Sequence, residues 1–353
     1  MKLTVAGAGV FGLAVAWEGL RRGLAVTVID PGGPGAGASG GVVGALSPHP
    51  PAPWSERKTT QVAALRAAPG WWAEVAAAGG LDPAHAAIGR AIPLRDAGAR
   101  ARAEAQVAAA RAHWGGAVWR ILDADALPGW LAPEAAPFGL ARETLSARIF
   151  PRAAVAALAA AIRAQGGEIR QGRIALADAP RPLVLATGAA SLLPALPCGG
   201  VKGQAALLAA EAPPGAPMLY DDGLYVVPQP GGLVAVGSTS EADWTDPTAV
   251  DDRLEAVIAR ARALSPALAG APIVEGWAGL RPRAALPDPM VGAVPGLPGV
   301  FVATGGFRTG LATAPAVGAA TAALVLGADP GLPETWSVPA HLEAMRRKAA
   351  RPG

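Results

Sequence analysis

The feature that most restricts this chain lies at its start, between Lys2 and Asp30. Leu3-Thr4-Val5-Ala6 reads as a short buried strand, Gly7-Ala8-Gly9-Val10-Phe11-Gly12 follows at once, and an apolar helix runs from Leu13 to about Arg22. Gly23 stops that helix, and a second strand over 25–29 ends in Asp30. A strand, a glycine turn, a helix and a parallel strand form the nucleotide-binding unit of a doubly wound sheet. Gly7 permits the tight turn, Gly9 lets backbone approach a pyrophosphate, and Gly12 lets helix and strand pack closely. The helix start at Val10 and Phe11 turns N–H groups and a positive dipole end toward the phosphates. Asp30 stands where it would accept hydrogen bonds from a ribose. The unit by itself leaves NAD and FAD both open.

Bulk properties narrow the partners. At 353 residues there is room for two domains, or for one large domain with an insertion. The chain is 52% apolar and only 16% charged, which is globular and leaves no tract polar enough for disorder. A net charge of +3 without any Lys/Arg-rich run or aromatic-basic strip gives no reason to expect a nucleic-acid partner. Cys198 is the single cysteine, so an internal disulfide framework and a Cys-based metal cluster are excluded, and a reducing compartment fits. His49, His85, His113 and His341 show no ligand spacing, so no metal is expected. The start of the chain is apolar but broken by glycines and lacks the form of a signal peptide. The stretch from Thr309 to Ala328 carries no charge, yet Gly310, Pro315, Gly318 and Gly327 interrupt it, and a buried helix is expected there. These readings describe a soluble, cytoplasmic protein.

Beyond Asp30, a loop of Gly, Pro and Ala runs over 31–44 with Ser39 and Gly40 inside it, where a second helix would follow in an NAD enzyme. A loop of close backbone approach can wrap a larger cofactor, which favours FAD. The Pro-rich stretch from Pro50 to Trp54 breaks the chain. Helical spacing is expected over 58–79, 99–114, 151–165 and 251–264, each of the middle two closed by a Gly-Gly pair. Strands are expected over 88–94, 168–174, 183–186, 201–210, 273–280 and 300–303, with a hairpin made by 225–228 and 233–237. The run 183–186 ends in Thr187-Gly188, small residues where backbone could pass close to a cofactor. Thr304-Gly305-Gly306-Phe307-Arg308 opens the last long helix.

With these segments placed, the chain resembles the glycine oxidase and D-amino-acid oxidase family of FAD-dependent amine oxidoreductases over nearly its full length. The resemblance rests on the Gly7–Asp30 unit, Ala38-Ser39-Gly40, Gly44-Ala45-Leu46 and Leu185-Ala186-Thr187-Gly188. It continues in Lys202-Gly203-Gln204, Tyr225-Val226-Val227-Pro228, Val236-Gly237-Ser238-Thr239 and Trp277-Ala278-Gly279-Leu280-Arg281-Pro282. It ends in Gly305-Gly306-Phe307-Arg308-Thr309-Gly310-Leu311. The fold this implies is mixed α/β: a discontinuous Rossmann-type FAD-binding domain (1–50, 145–200 and 290–353) with an inserted antiparallel-sheet substrate domain (51–144 and 201–289).

The resemblance also implies roles. Arg281 clamps the substrate carboxylate, Tyr225 donates its hydroxyl to the same group, and Arg308 lies near substrate and flavin. Ile174 lies against the adenine side, and the helix starting at Gly310 points at the flavin edge that gains negative charge on reduction. Hydride then passes from Cα to flavin N5, the imine hydrolyses in water, and no side-chain base is needed. The substrate would be glycine, sarcosine or a D-amino acid, with oxygen or another compound as electron acceptor. Gly223 replaces a polar residue of glycine oxidase, and 175–182 replaces a longer β-meander. Two other readings stay open: a flavoprotein that trims carboxymethylaminomethyl groups on tRNA, and a flavin-binding protein without amine chemistry. Oligomeric state is open as well.

Overall fold

A central sheet of six strands carries the N-terminal unit. The computed structural model describes residues 1–193, 195, 196 and 198–350. Its strands run in the order Met290–Ala293, Val300–Thr304, Leu183–Leu185, Lys2–Ala6, Ala25–Asp30 and Glu168–Gln171. All neighbours are parallel except Met290–Ala293, which caps one edge antiparallel. Lys2–Ala6 has Ala25–Asp30 on one side and Leu183–Leu185 on the other, so chain order reverses beside it. In a doubly wound sheet the crevice at that reversal is where ligands bind. Helix Val10–Arg21 covers one face, with Leu13, Ala14, Val15 and Ala16 all fully buried between the sheet and helix Gly310–Val325.

The second sheet has eight strands. Its order is Ile273–Ala284, Cys198–Ala209, Leu233–Gly237, Leu224–Gln229, Met218–Asp221, Arg90–Pro93, Leu140–Glu143 and Trp119–Leu122. Every pairing is antiparallel except Met218–Asp221 with Arg90–Pro93. Helix Asp252–Leu264 covers one face through Leu254, Val257, Ile258 and Ala261, which pack on Val226, Val234 and Val236. The other face meets the segment around Val42 and Val43, which follows the glycine loop. Val42 thus packs on the second sheet, while Leu46, a few residues on, is buried in the core of the first unit.

Sequence and structure differ at several places. Strand Ile273–Ala284 runs on through Arg281-Pro282-Arg283, where the sequence pattern ends it at Leu280. Pro282 is tolerated because this strand is the outermost of its sheet, so a missing N–H breaks no ladder on the far side. Helix Glu56–Gly79 follows the Pro-rich break and is grouped by sequence with 51–144. Its Trp72 and Val75 share a core with Val15 and Leu158 of the parallel-sheet unit. The closing helix Val338–Ala349, capped by Ser337 Oγ on the Ala340 N–H at 3.2 Å, has no counterpart in the periodicity reading. Helix Gly310–Val325 is the charge-free stretch; no helix among the described residues is long and apolar enough to cross a membrane.

Candidate active site

The nucleotide end is built first by Gly7. Its φ of +108° is open to glycine, and a Cβ there would come within 2.3 Å of the Ala186 carbonyl oxygen. The turn therefore passes directly under the exit of strand Leu183–Leu185, where Thr187 and Gly188 lie. Helix Val10–Arg21 starts here with no acidic residue in its first turn, and the Val10 N–H donates to Ser39 Oγ at 2.9 Å. Asp30 accepts from the Ala8 N–H through one oxygen and from the Gly32 N–H through the other, both at 2.8 Å. Its carboxylate thus closes the mouth of the glycine turn, with lone pairs remaining for a ribose. A glycine turn packed too closely on the Ala186 carbonyl for any Cβ, backed by helix N–H groups and an acid at the end of the second strand, fits the pyrophosphate and ribose of a dinucleotide.

Several other cofactor-face candidates converge on the same region. Ser39 and Gly40 lie in the 3₁₀ turn Ala38–Gly40, where the Gly40 carbonyl accepts from Arg152 Nε at 2.8 Å. Gly44 turns the chain into Ala45-Leu46, which pairs with Ala147-Arg148. The Gly188 carbonyl accepts from Thr304 Oγ1 at 3.1 Å, tying the strand exits together. Gly305, Gly306 and Phe307 form the turn into helix Gly310–Val325, with Phe11 packed against Gly306 and no acidic residue in that helix's first turn. Thr309 stands just before it with its hydroxyl donating back to the Gly306 carbonyl at 3.2 Å, and Leu311 is half-buried. Ile174 follows Gly172, whose N–H donates to the Asp30 carbonyl at 3.0 Å, and its side chain packs beside the core of Leu183 and Val300.

Arg281 lies on the second sheet. It donates from Nη1 to the Thr239 carbonyl at 3.1 Å and from Nη2 to Ser238 Oγ at 2.6 Å. To reach them the guanidinium crosses the neighbouring strand at Gly203, where a Cβ would sit 1.9 Å from Nη2. Ser238 directly follows Gly237, and Gly237 is the register partner of Tyr225. The side chain of Arg281 thereby crosses one strand and reaches the residues that follow the next, whose last residue pairs with Tyr225. Burial and the field of Arg308 bring Arg281 down to about 10, against an opposing pull from Glu241.

Tyr225 has its own support. Its ring packs on Tyr220 at 4.7 Å, and its hydroxyl oxygen accepts from Arg90 Nη1 at 3.3 Å. Arg90 is buried and ion-paired through Nε with fully buried Glu143 at 3.1 Å. Glu143 in turn accepts the Leu145 and Ser146 N–H groups at 2.8 and 3.0 Å. With an arginine on its oxygen, Tyr225 keeps its own proton for a further acceptor. Arg308 is exposed, and its guanidinium lies 5.3 Å from the Phe307 ring, which Arg283 also approaches at 5.7 Å. The Phe307 N–H donates to the Pro282 carbonyl at 2.9 Å and joins this turn to the Arg281 strand. His49 lines a pocket beside Thr309 with Arg57, Gln61 and Asp288. No group of three metal-ligating side chains occurs among the described residues.

Gly203, Ser238, Glu241 and Arg90 are the parts that site reasoning from sequence passed over as roles. The Lys202-Gly203-Gln204 and Ser238-Thr239 runs are visible as motifs, but nothing local says that they surround Arg281.

A largely parallel doubly wound sheet with a glycine turn of dinucleotide-binding form, joined to a largely antiparallel sheet that carries Arg281, is the architecture of a dinucleotide-binding protein. Residues 2–324 match the family described as FAD dependent oxidoreductase, the DAO family, and the chain belongs to that family. It is 34% identical over 306 residues to a Rhizobium etli chain that carries the name thiamine biosynthesis oxidoreductase ThiO, covering 82% of this chain and 85% of that one. It is 37% identical over 164 residues to glycine oxidase of Pseudomonas aeruginosa, a match that covers 46% of this chain and 44% of the relative. The glycine oxidase structure from Geobacillus kaustophilus superimposes with a TM-score of 0.84 at 23% identity, covering 95% of this chain and 97% of that one, and so shares the fold.

Proposed function

We propose that this protein oxidises a small amino acid or N-substituted glycine, with glycine, sarcosine and D-amino acids as the substrate class. The observation that carries the reading is the anchoring of Arg281. Two of its N–H groups are spent on Thr239 and Ser238, which fixes the plane of the guanidinium and leaves three of its five N–H groups for a ligand. A planar fork matches a carboxylate bidentately, so an amino acid bound there is oriented as well as held. Tyr225, with Arg90 on its oxygen, supplies a donor to the same carboxylate. Bound FAD, held by the Gly7–Gly12 turn, Asp30, Ser39 and the start of helix Gly310–Val325, supplies the hydride acceptor. Arg281 at about 10 stays charged at neutral pH and retains its hold on an anion. The relatives named for glycine oxidase support the same substrate class.

The test is the visible spectrum of the flavin-loaded protein recorded without oxygen, before and after glycine, sarcosine and a D-amino-acid panel. Bleaching by one of these compounds, lost in Arg281→Met while flavin is retained, is the expected result. Flavin that no amine bleaches would overturn the substrate class, and bleaching unchanged in Arg281→Met would overturn the role of Arg281.

A further inference from the structure

We propose that Glu241 is a positioning residue for substrate, holding the turn from Ser238 to Glu241 in the one shape that aims Arg281 at a carboxylate. The inference rests on the reading of Arg281 as the carboxylate anchor, and adds a part that makes no contact with Arg281 itself.

Glu241 is 7% exposed, yet its carboxylate is fully engaged. Oε1 accepts from Gln204 Nε2 at 3.0 Å and from the Thr239 hydroxyl, while Oε2 accepts from Arg253 Nη1 at 2.7 Å with Lys202 Nζ 3.9 Å away. These donors outweigh its burial and hold the acid below the usual carboxylate range. The backbone of the turn is tied to the same strand. Lys202 and Glu241 exchange both main-chain bonds, at 3.0 and 2.9 Å, and the Thr239 N–H donates to the Gln204 carbonyl at 3.2 Å.

Thr239 is the link. Its hydroxyl gives its proton to Glu241 and accepts the Gln204 N–H at 2.8 Å, so both ends of the side chain are committed. Its carbonyl is thereby set to accept Arg281 Nη1 at 3.1 Å. The Lys202-Gly203-Gln204 run acquires one purpose from this. Gly203 leaves space for the guanidinium, while Lys202 and Gln204 hold the acid that holds its acceptor. An amide at position 241 would point an NH₂ group at Gln204 or Arg253, a donor against a donor. The turn would relax, and a bidentate contact is lost with small misalignment.

Three variants test this in the flavin-loaded protein: Glu241→Gln, Thr239→Val and Thr239→Ser. The readouts are steady-state kinetics with the amine that bleaches the flavin, calorimetric titration with acetate, and thermal unfolding. Expected for Glu241→Gln and Thr239→Val is a rise of about tenfold in KM and in the acetate Kd, with kcat held within about twofold. Thr239→Ser, which keeps the hydroxyl, should bind acetate as the parent does. Folded Glu241→Gln with unchanged acetate binding would overturn the proposal, as would kcat falling in step with stability while KM holds. If Glu241→Gln does not fold, Thr239→Val against Thr239→Ser decides alone. Arg281→Met, titrated in parallel, separates the two levels of inference. Acetate binding that survives Arg281→Met removes the anchor itself; binding lost there but intact in Glu241→Gln removes only the positioning role.

Discussion

The guanidinium of Arg281 lies across the backbone of Gly203, so close that a methyl group on Gly203 would fall 1.9 Å from Nη2. The two residues sit on adjacent antiparallel strands, Gly203 opposite Gly279 and Arg281 opposite Val201, which makes them diagonal neighbours on one face. An arginine can extend flat over its neighbour strand only where that strand has no side chain.

Gly203→Ala should therefore displace Arg281 without disturbing the core beneath. We expect KM for the amino-acid substrate to rise at least about tenfold, with kcat changed much less. Steady-state kinetics check this, and a KM equal to the parent's would show that the guanidinium finds an equivalent position elsewhere.

Carboxylate binding should fail in alkali. Burial and Arg308 lower Arg281 to about 10, and only its charged form binds an anion. Affinity for acetate, which has no amine to titrate, is expected to be flat from about pH 6 up to that pH and to fall about tenfold per unit above it. Calorimetric titration across that range gives the profile. Acetate binding that stays level well past pH 10 would argue for a different anion anchor.

Gly7→Ala combines an unfavourable φ of +108° with a contact of 2.3 Å to the Ala186 carbonyl. A loss of about 2 kcal/mol or more is expected in urea unfolding. Flavin absorbance after gel filtration should drop with it, because the displaced turn is the one proposed to face the pyrophosphate. Parent-like flavin retention would mean that this turn is not part of the cradle.

Glu143→Ala should be among the most damaging single changes. It leaves Arg90 buried without its acid, at a cost of about 3–5 kcal/mol. The double change Glu143→Leu with Arg90→Met should recover much of that stability, yet still weaken substrate binding through Tyr225. Urea midpoints and KM for the single and double variants distinguish the two effects.

The parallel-sheet half of this protein is written in local sequence. The Gly7–Gly12 spacing, the apolar run before it and Asp30 after it dictate a strand, a turn and a helix within one βαβ unit, and the structure repeats that order. The apolar periods at 151–164 and 183–185 belong to the same class, since each element buries a face that neighbouring residues reveal. Arg281 stands out too, because the resemblance carried by Trp277-Ala278-Gly279-Leu280-Arg281-Pro282 gives it the carboxylate role.

What surrounds Arg281 is different in kind. Gly203, Ser238 and Thr239 meet it, with Glu241 behind Thr239, only because three strands far apart in the chain align in one antiparallel register. Arg90 and Tyr225 are further apart still, joined through the parallel pairing of Arg90–Pro93 with Met218–Asp221. A hydrophobic period reports which face of a strand is buried, but register between distant strands is settled by packing and ladder hydrogen bonds across the whole sheet. The sequence by itself determined the strand-turn-helix unit of dinucleotide-binding form and its place in the chain. Only the tertiary structure decided how Arg281 is held, because its partners Thr239 and Ser238 reach it through register between distant strands.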